Sequence, residues 1–361
     1  MDNQLATTTN MTTSSEEALF PAENLLNPAR SKIFRPRGNF EITSSNNKIH
    51  IIDTLAKTAT IPVGSYNGGS KMAEAIGLAL ATVSSNWGCF HSPDLGFSFI
   101  RSSSPGILEI SNSTNAIWDT IGFTGSTNID ATTLQYADER RRHTSEYIQV
   151  DLGTNANSVG FIGLIGPKSR PLDISGDATI TVKGTNILDW DTPEVSKSVT
   201  RYADGLYVFL DDIADTKYRY WRLEFEDQQN TSDIELSNFY LGTYLTLNNR
   251  NVNSGFTKSY VDPSDIQVSE NGAEFFLSRD RYREISNGSM NYMDAADRRD
   301  FEQMIHDHGI HTPFFVSFDP LQNCTQDITE LTGYYRFASD PIIIHFRSDI
   351  YSVGFNLKEA L

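Results

Sequence analysis

The chain has 361 residues, 21% of them charged and 39% hydrophobic, with a formal net charge of −17. That length permits a sizeable buried core and two or three domains, and the balance is that of a globular protein rather than a disordered one. So negative a chain repels phosphate backbones and anionic lipid, which argues against nucleic acid or a membrane surface as its main partner.

The 11% aromatic content, with abundant Thr, Ser and Asn, leans toward strands. No stretch reaches the roughly 18 apolar residues of a transmembrane helix. The start, MDNQLATTTNMTTSSEEALF, has neither a basic beginning nor a continuous apolar run, so it reads as a soluble, cytoplasmically made chain without a secretory signal. Cys89 and Cys324 lie far apart and read as free thiols. The five Asn-x-Ser/Thr matches, at Asn10, Asn112, Asn230, Asn287 and Asn323, read as chance in such a composition. The basic cluster Arg140-Arg141-Arg142 is short.

In chain order, residues 1–14 are polar and Thr-rich, and are expected to form a flexible arm that binds neighbours in an assembly. ALFPAENLLNPARSKIFRP (18–36) is a short apolar element broken by Pro28 and Pro36. FEITSSNNKIHIID reads as a hairpin, with Phe40 and Ile42 alternating on one arm and Ile49 and Ile51 on the other. Met72, Ile76, Ala79, Leu80 and Val83 share one helical face, so a helix is expected over about 70–84, entered through Gly68-Gly69-Ser70. LGFSFIRS and GILEISNST read as hairpin-like strands, and AIWDTIGFTG as a short helix that closes a small α/β module.

From SEYIQVDLGT to IELSNFYLGTYL, short strands alternate with Gly, Asp and Asn turns, the pattern of a β-sandwich. In YRYWRLEFED, Trp221, Leu223 and Phe225 fall on one face and Arg222, Glu224 and Glu226 on the other. After a linker-like Asn-rich stretch near 248–255, a hairpin region leads to a helix over about 294–308. Asp294 is placed to cap it, and Phe301, Met304 and Ile305 to bury. Strands at PFFVSFDP, ELTGYYRFA, PIIIHFRS and IYSVGFNLKEAL end the chain.

The stretches EYIQVDLGT, ITVKGTNILDWDTPEV, YRYWRLEFED and IELSNFYLG resemble the discoidin, or coagulation-factor-C-like, branch of the galactose-binding-like sandwiches, with Asp151, Trp190, Arg222 and Glu235 at the matching places. The resemblance implies a mainly β fold. It comprises a sandwich in two pieces (15–39 and 143–247), an inserted α/β module (40–142), and a β-rich C-terminal domain with one helix (248–361). It also implies an architectural ion pair joining Arg219 or Arg222 to Glu235 or Asp151. The cysteine pair and the apolar lipid-binding spikes that some such domains carry are not evident, which argues against membrane attachment.

The pattern of the whole chain resembles structural proteins of tailed-phage virions. The stretches that carry it are TATIPVGSYNGGSKMAEAIGLALATVSS, FSFIRSSSPGILEISNSTNAIWDTIGF and the ending TELTGYYRFASDPIIIHFRSDIYSVGFNLKEAL. That resemblance implies a non-enzymatic subunit of the tail tip or baseplate, made in the host bacterial cytoplasm and residing in the virion. It implies a homo-oligomer whose partners are tail tube, hub or fibre proteins.

Chemistry-bearing clusters are few. His306, His308 and His311 suit an exposed helix end better than a metal site, since no Cys or Glu completes a tetrahedral set. Asp211-Asp212 and Asp189/Asp191 could be glycosidase carboxylates, but no nucleophile accompanies them. The loop 64–71 lacks phosphate-loop spacing. No catalytic residue, metal or cofactor is therefore expected. Trp190 between Asp189 and Asp191 either fills the sandwich edge or stacks on a host-surface glycan, the alternative reading of the sandwich.

Overall fold

The computed structural model describes the chain except residues 1–3, 37, 93–94, 103–105, 131–133, 139–142, 155–157, 168–171, 173, 201, 203–204, 212, 214–215, 231–233, 246–251, 254, 272, 319–331, 348 and 361. Arg140-Arg141-Arg142, Asp212 and Cys324 lie outside the described residues. The fold is mainly β, with two α-helices among the described residues.

Two antiparallel sheets pack face to face. One has five strands in the order Met11–Thr13, His143–Asp151, Tyr220–Asn230, Thr179–Thr185, Val195–Ser198; the other has three, Gly205–Phe209, Phe161–Ile165, Asn238–Gly242. Period-two alternation explains the core between them. Ile148, Val150, Ile180, Val182, Trp221, Leu223 and Phe225 face Ile162, Leu164, Leu206, Val208, Phe239 and Leu241, and all are buried. Leu25 and Phe34 belong to the same core, so it is assembled from chain on both sides of a long intervening segment.

That segment builds its own core. The helix Gly69–Ala81 turns Met72, Ile76, Ala79 and Leu80 onto Phe40, Ile49, Phe97 and Phe99. Gly68 precedes it at φ 90°, a conformation that costs glycine nothing. The C-terminal domain is a six-stranded sheet crossed by the helix Ala295–His308. The Asp294 carboxylate caps that helix by accepting from the amides of Ala296 and Asp297, both at 2.8 Å, and Phe301 is buried beneath it.

Several local expectations are corrected. Residues 4–14 are not a free arm: Met11–Thr13 pairs with His143–Asp151, the Leu5 amide donates to the Leu241 carbonyl at 2.8 Å, and Ala6 and Met11 enter the sandwich core. Few as they are, these apolar residues meet an otherwise open sheet edge, and Ser14 and Ser15 hydroxyls satisfy the buried Glu146 carboxylate. Asn39–Ile42 and Lys48–Ile52 do not form a hairpin; the first pairs with Gly64–Asn67 and the second with Ala56–Thr60 and Ile107–Leu108. Gly96–Arg101 pairs with Trp87–Ser92, a strand the periodicity did not mark, and not with Ile107–Leu108. The segment expected to be a short helix near Ile117 is a run of turns that still buries Ile117, Trp118, Ile121 and Phe123.

The sandwich and the C-terminal domain share an aromatic seam. Phe315 lies 5.6 Å from Phe161, 6.0 Å from Tyr240 and 4.9 Å from Tyr334, between ring centroids. Gly163 permits this approach, because a Cβ there would sit 3.0 Å from the Phe315 ring. Beside the seam, Arg30 donates to the Gly166 carbonyl at 2.8 Å and pairs with Glu359 at 3.4 Å. Glu359 also takes the Arg283 guanidinium at 3.2 Å and the Arg283 amide at 2.8 Å.

Candidate functional site

Strand Tyr220–Asn230 is paired on both sides, and its outward face sets Arg222 between Gln149 and Lys183. The guanidinium lies 3.9 Å from the Tyr147 ring centroid and 4.3 Å from that of Trp190, and donates to Gln149 Oε1 at 3.0 Å. Its nearest carboxylate is Glu224 at 3.7 Å, which is also paired with Lys183. Burial lowers the Arg222 pKa from its usual very high value. A cation between two aromatic faces is held by the ring quadrupoles as well as by its acid partner.

Trp190 reaches this stack from the turn that follows Thr179–Thr185. Asp189 builds the turn by accepting from the Asp191 amide at 3.0 Å and the Thr192 hydroxyl at 2.8 Å. The Thr192 hydroxyl, with the Asp191 amide, holds the Asp189 carboxyl below the usual carboxylate range. Asp189 is thus occupied in the turn, and one face of the Trp190 indole is covered by Arg222. The same turn exposes Ile187 and Leu188, an apolar tip that corrects the reading of the sandwich as spike-free. Trp190→Ala is expected to free Arg222 on one side and lower stability by about 1–2 kcal/mol. Thermal unfolding checks this, and an unchanged midpoint would contradict the stack's role.

Of the four residues considered for an architectural pair, the structure joins two. Arg219 clamps Asp151 with Nε–Oδ1 and Nη2–Oδ2 both at 2.9 Å, a bidentate pair that is 38% exposed on each side. Arg222 and Glu235 go elsewhere: Glu235 pairs with Arg35, which also reaches Glu17 at 3.5 Å and stacks on Phe20. The bridge between Phe34 and Leu236 brings Arg35 beside Glu235, a proximity that no local pattern signals across the intervening segment.

The Arg219 hydrogen bond holds the Asp151 carboxyl below its usual range. A carboxylate depressed by folding stabilises above its unfolded pKa and loses that contribution as pH falls through the folded value. Asp151→Asn is therefore expected to melt slightly below wild type at neutral pH and to converge with it in acid. Exposure keeps the difference small. A gap that widened toward acid would contradict the assignment.

At one end of the sandwich, Ser158, Gly160, Leu210, Asp211, Thr216 and Tyr244 line a groove of about 270 Å³. The Tyr244 hydroxyl donates to Asp211 Oδ1, and burial together with that bond pushes the phenol pKa up. No sequence pattern drew attention to this groove beyond Asp211 itself.

His306 pairs with Asp307 at 3.3 Å and His308 packs on the Phe314 ring, while His311 lies beside Gly309. No group of three or more His, Cys, Asp or Glu could hold a metal ion among the described residues. Cys89 is buried, and burial pushes its thiol pKa up, away from reactivity.

A cluster of exposed apolar side chains lies elsewhere, on the hairpin formed by Asp265–Val268 and Glu274–Leu277, a two-stranded sheet on its own. Ile266, Val268, Phe275, Phe276 and Leu277 are 62%, 64%, 62%, 67% and 57% exposed. Register puts Ile266, Val268 and Phe276 on one face. Ion pairs Arg281–Asp262 at 2.9 Å and Arg279–Asp265 at 2.7 Å brace the base. Hydrogen bonds from the Ser264 hydroxyl and amide, and then from the Arg281 side chain, hold the Asp262 pKa down to about 2.

No family model matches the chain, and no curated protein matches it. Among solved structures, 39% of the chain is similar to 94% of chitosan-binding module 1 from the chitosanase/glucanase of Paenibacillus sp. IK-5, at 14% identity and a TM-score of 0.21. Similarity at that score assigns neither a family nor a ligand.

Proposed function

We propose that the chain is a non-enzymatic structural subunit of a bacteriophage tail, at the tip or baseplate, that assembles with copies of itself and with other tail proteins. The observation that carries the assembly reading is the projecting hairpin, with five large apolar side chains in solvent. A lone two-stranded hairpin is marginal in water, and an apolar patch of this kind marks an interaction surface. The phage-tail setting is supported by the sequence resemblance of the α/β module and the closing strands. Replacing residues 265–277 by a short turn is expected to leave the melting midpoint unchanged and to abolish assembly. Assembly that survived the replacement would remove the main support for the reading.

A second reading, glycan recognition by the sandwich, is favoured by the groove at Asp211 and Tyr244, where a carboxylate, hydroxyls and an aromatic ring converge on a small volume. Saturation-transfer NMR with glucose, galactose and glucosamine tests it. Binding that is lost in Tyr244→Ala and spared in Trp190→Ala supports the groove, the reverse supports the Trp190 turn, and no transfer to any sugar removes this reading.

A further inference from the structure

We propose that the hairpin Asp265–Val268/Glu274–Leu277 of one copy adds to the open edge of strand Ile342–Arg347 in a second copy, making one sheet continuous across the subunit boundary. The proposal rests on the assembly reading and names the surfaces that make it.

Strand Ile342–Arg347 pairs only with Ile350–Glu359 among the described residues, and among them no backbone partner meets its outer edge. Natural edges are guarded by charge, proline or a bulge; here Pro341 precedes the strand and an irregular register with exposed Arg347 ends it, while Ile342, Ile343 and Ile344 between them carry no such guard. Ile343 lies opposite buried Val353 and faces the core, whereas Ile342 and Ile344 stand out, 66% and 53% exposed. Their cross-strand neighbours are Gly354 and Ser352, and a Cβ built on Gly354 would meet nothing within 4 Å. The result is a shallow apolar shelf beside a row of backbone groups that no described strand pairs.

The hairpin offers the matching parts. Both of its outer edges are unpaired among the described residues, and its Ile266, Val268 and Phe276 face would extend the row begun by Ile342 and Ile344. Main-chain hydrogen bonds supply the pairing and alternate side chains the fit, as in other strand additions.

One charge contact is available to this pairing. In a chain of net charge −17, the edge strand brings one cation, exposed Arg347. The hairpin's Asp262 and Asp265 are already paired at its base, which leaves Glu274 on the strand and Glu270 at the tip to meet a cationic neighbour. Because the hairpin and the edge are different surfaces, the contact is head-to-tail, and repetition closes a ring or extends a filament.

Two full-length variants test the proposal: a hairpin variant, Ile266→Asp with Phe276→Asp, and an edge variant, Ile342→Asp with Ile344→Asp. All four positions are exposed, so both variants are expected to melt as wild type does. If either double variant melts low, Phe276→Ser and Ile344→Ser replace it with the same expectation. By light scattering, each variant alone is expected to fall from the assembled mass to that of one chain. An equimolar mixture is expected to show two-chain species, since the intact edge of the hairpin variant still accepts the intact hairpin of the edge variant. Variants that assemble as wild type does, or a mixture that stays at one-chain mass, overturn this interface and leave the assembly reading standing on other contacts. A wild-type chain that neither self-associates nor joins tail proteins overturns both.

Discussion

Glu359→Ala is expected to destabilise the joint between the sandwich and the C-terminal domain by about 3–5 kcal/mol, because it removes a buried carboxylate that two cations share. Arg30 and Glu359 side chains are each 4% exposed and Arg283 is 11% exposed, so water cannot replace the lost carboxylate. The Gly166 carbonyl satisfies part of the Arg30 fork but none of its charge. Calorimetry should show an unfolding transition lowered by several degrees. Arg30→Met with Glu359→Met, which removes the Arg30–Glu359 pair on both sides together with the Arg283–Glu359 contact, should recover part of the loss. A Glu359→Ala protein that melts with wild type would mean that the joint is held by the aromatic seam alone.

Trp221→Ala carries the other large effect. Trp221 is fully buried in the central strand of the five-stranded sheet, with Tyr218 edge-on at 5.8 Å between ring centroids. Truncation removes the largest side chain of that core and leaves a cavity its paired neighbours cannot close, at a cost of about 3–5 kcal/mol. Urea unfolding followed by tyrosine and tryptophan fluorescence reads the shift in midpoint. A loss below about 1 kcal/mol would mean that the sheets collapse onto the vacancy.

The contrast between these two positions shows what was legible in the sequence. Trp221, Leu223 and Phe225 announce their inward face by strict alternation, and the helix at Gly69–Ala81 announces its face by Met72, Ile76 and Leu80. Both signals are local. Glu359 carries no such signal, since Arg30 and Arg283 lie 329 and 76 residues away. The same limit explains the lost hairpin at Phe40 to Ile51: alternation identified strand residues, but pairing was decided by Gly64–Asn67 and Ile107–Leu108, which compete for the same edges.

The candidate sites divide in the same way. Asp151–Arg219 is legible because both residues sit at the ends of adjacent strands in one sheet, whereas Glu235 is taken by Arg35 from the other side of the inserted segment. Trp190 was visible as an aromatic in an acidic turn; that Arg222 covers one face of it depends on register across three strands. A hairpin was expected between the Asn-rich stretch and the second helix, but the exposure of Asp265 to Leu277 was invisible for a different reason. Its apolar residues look like core residues in sequence, and only the fold shows that no core among the described residues receives them.

The mass of the full chain in solution, measured by light scattering across a range of concentrations and again with tail tube and hub proteins present, tests the account most directly. A discrete multiple of the single-chain mass, or a stable complex with those proteins, is the predicted result. A single-chain mass at every concentration, unchanged by the tail proteins, would contradict the proposal that this is an assembly subunit.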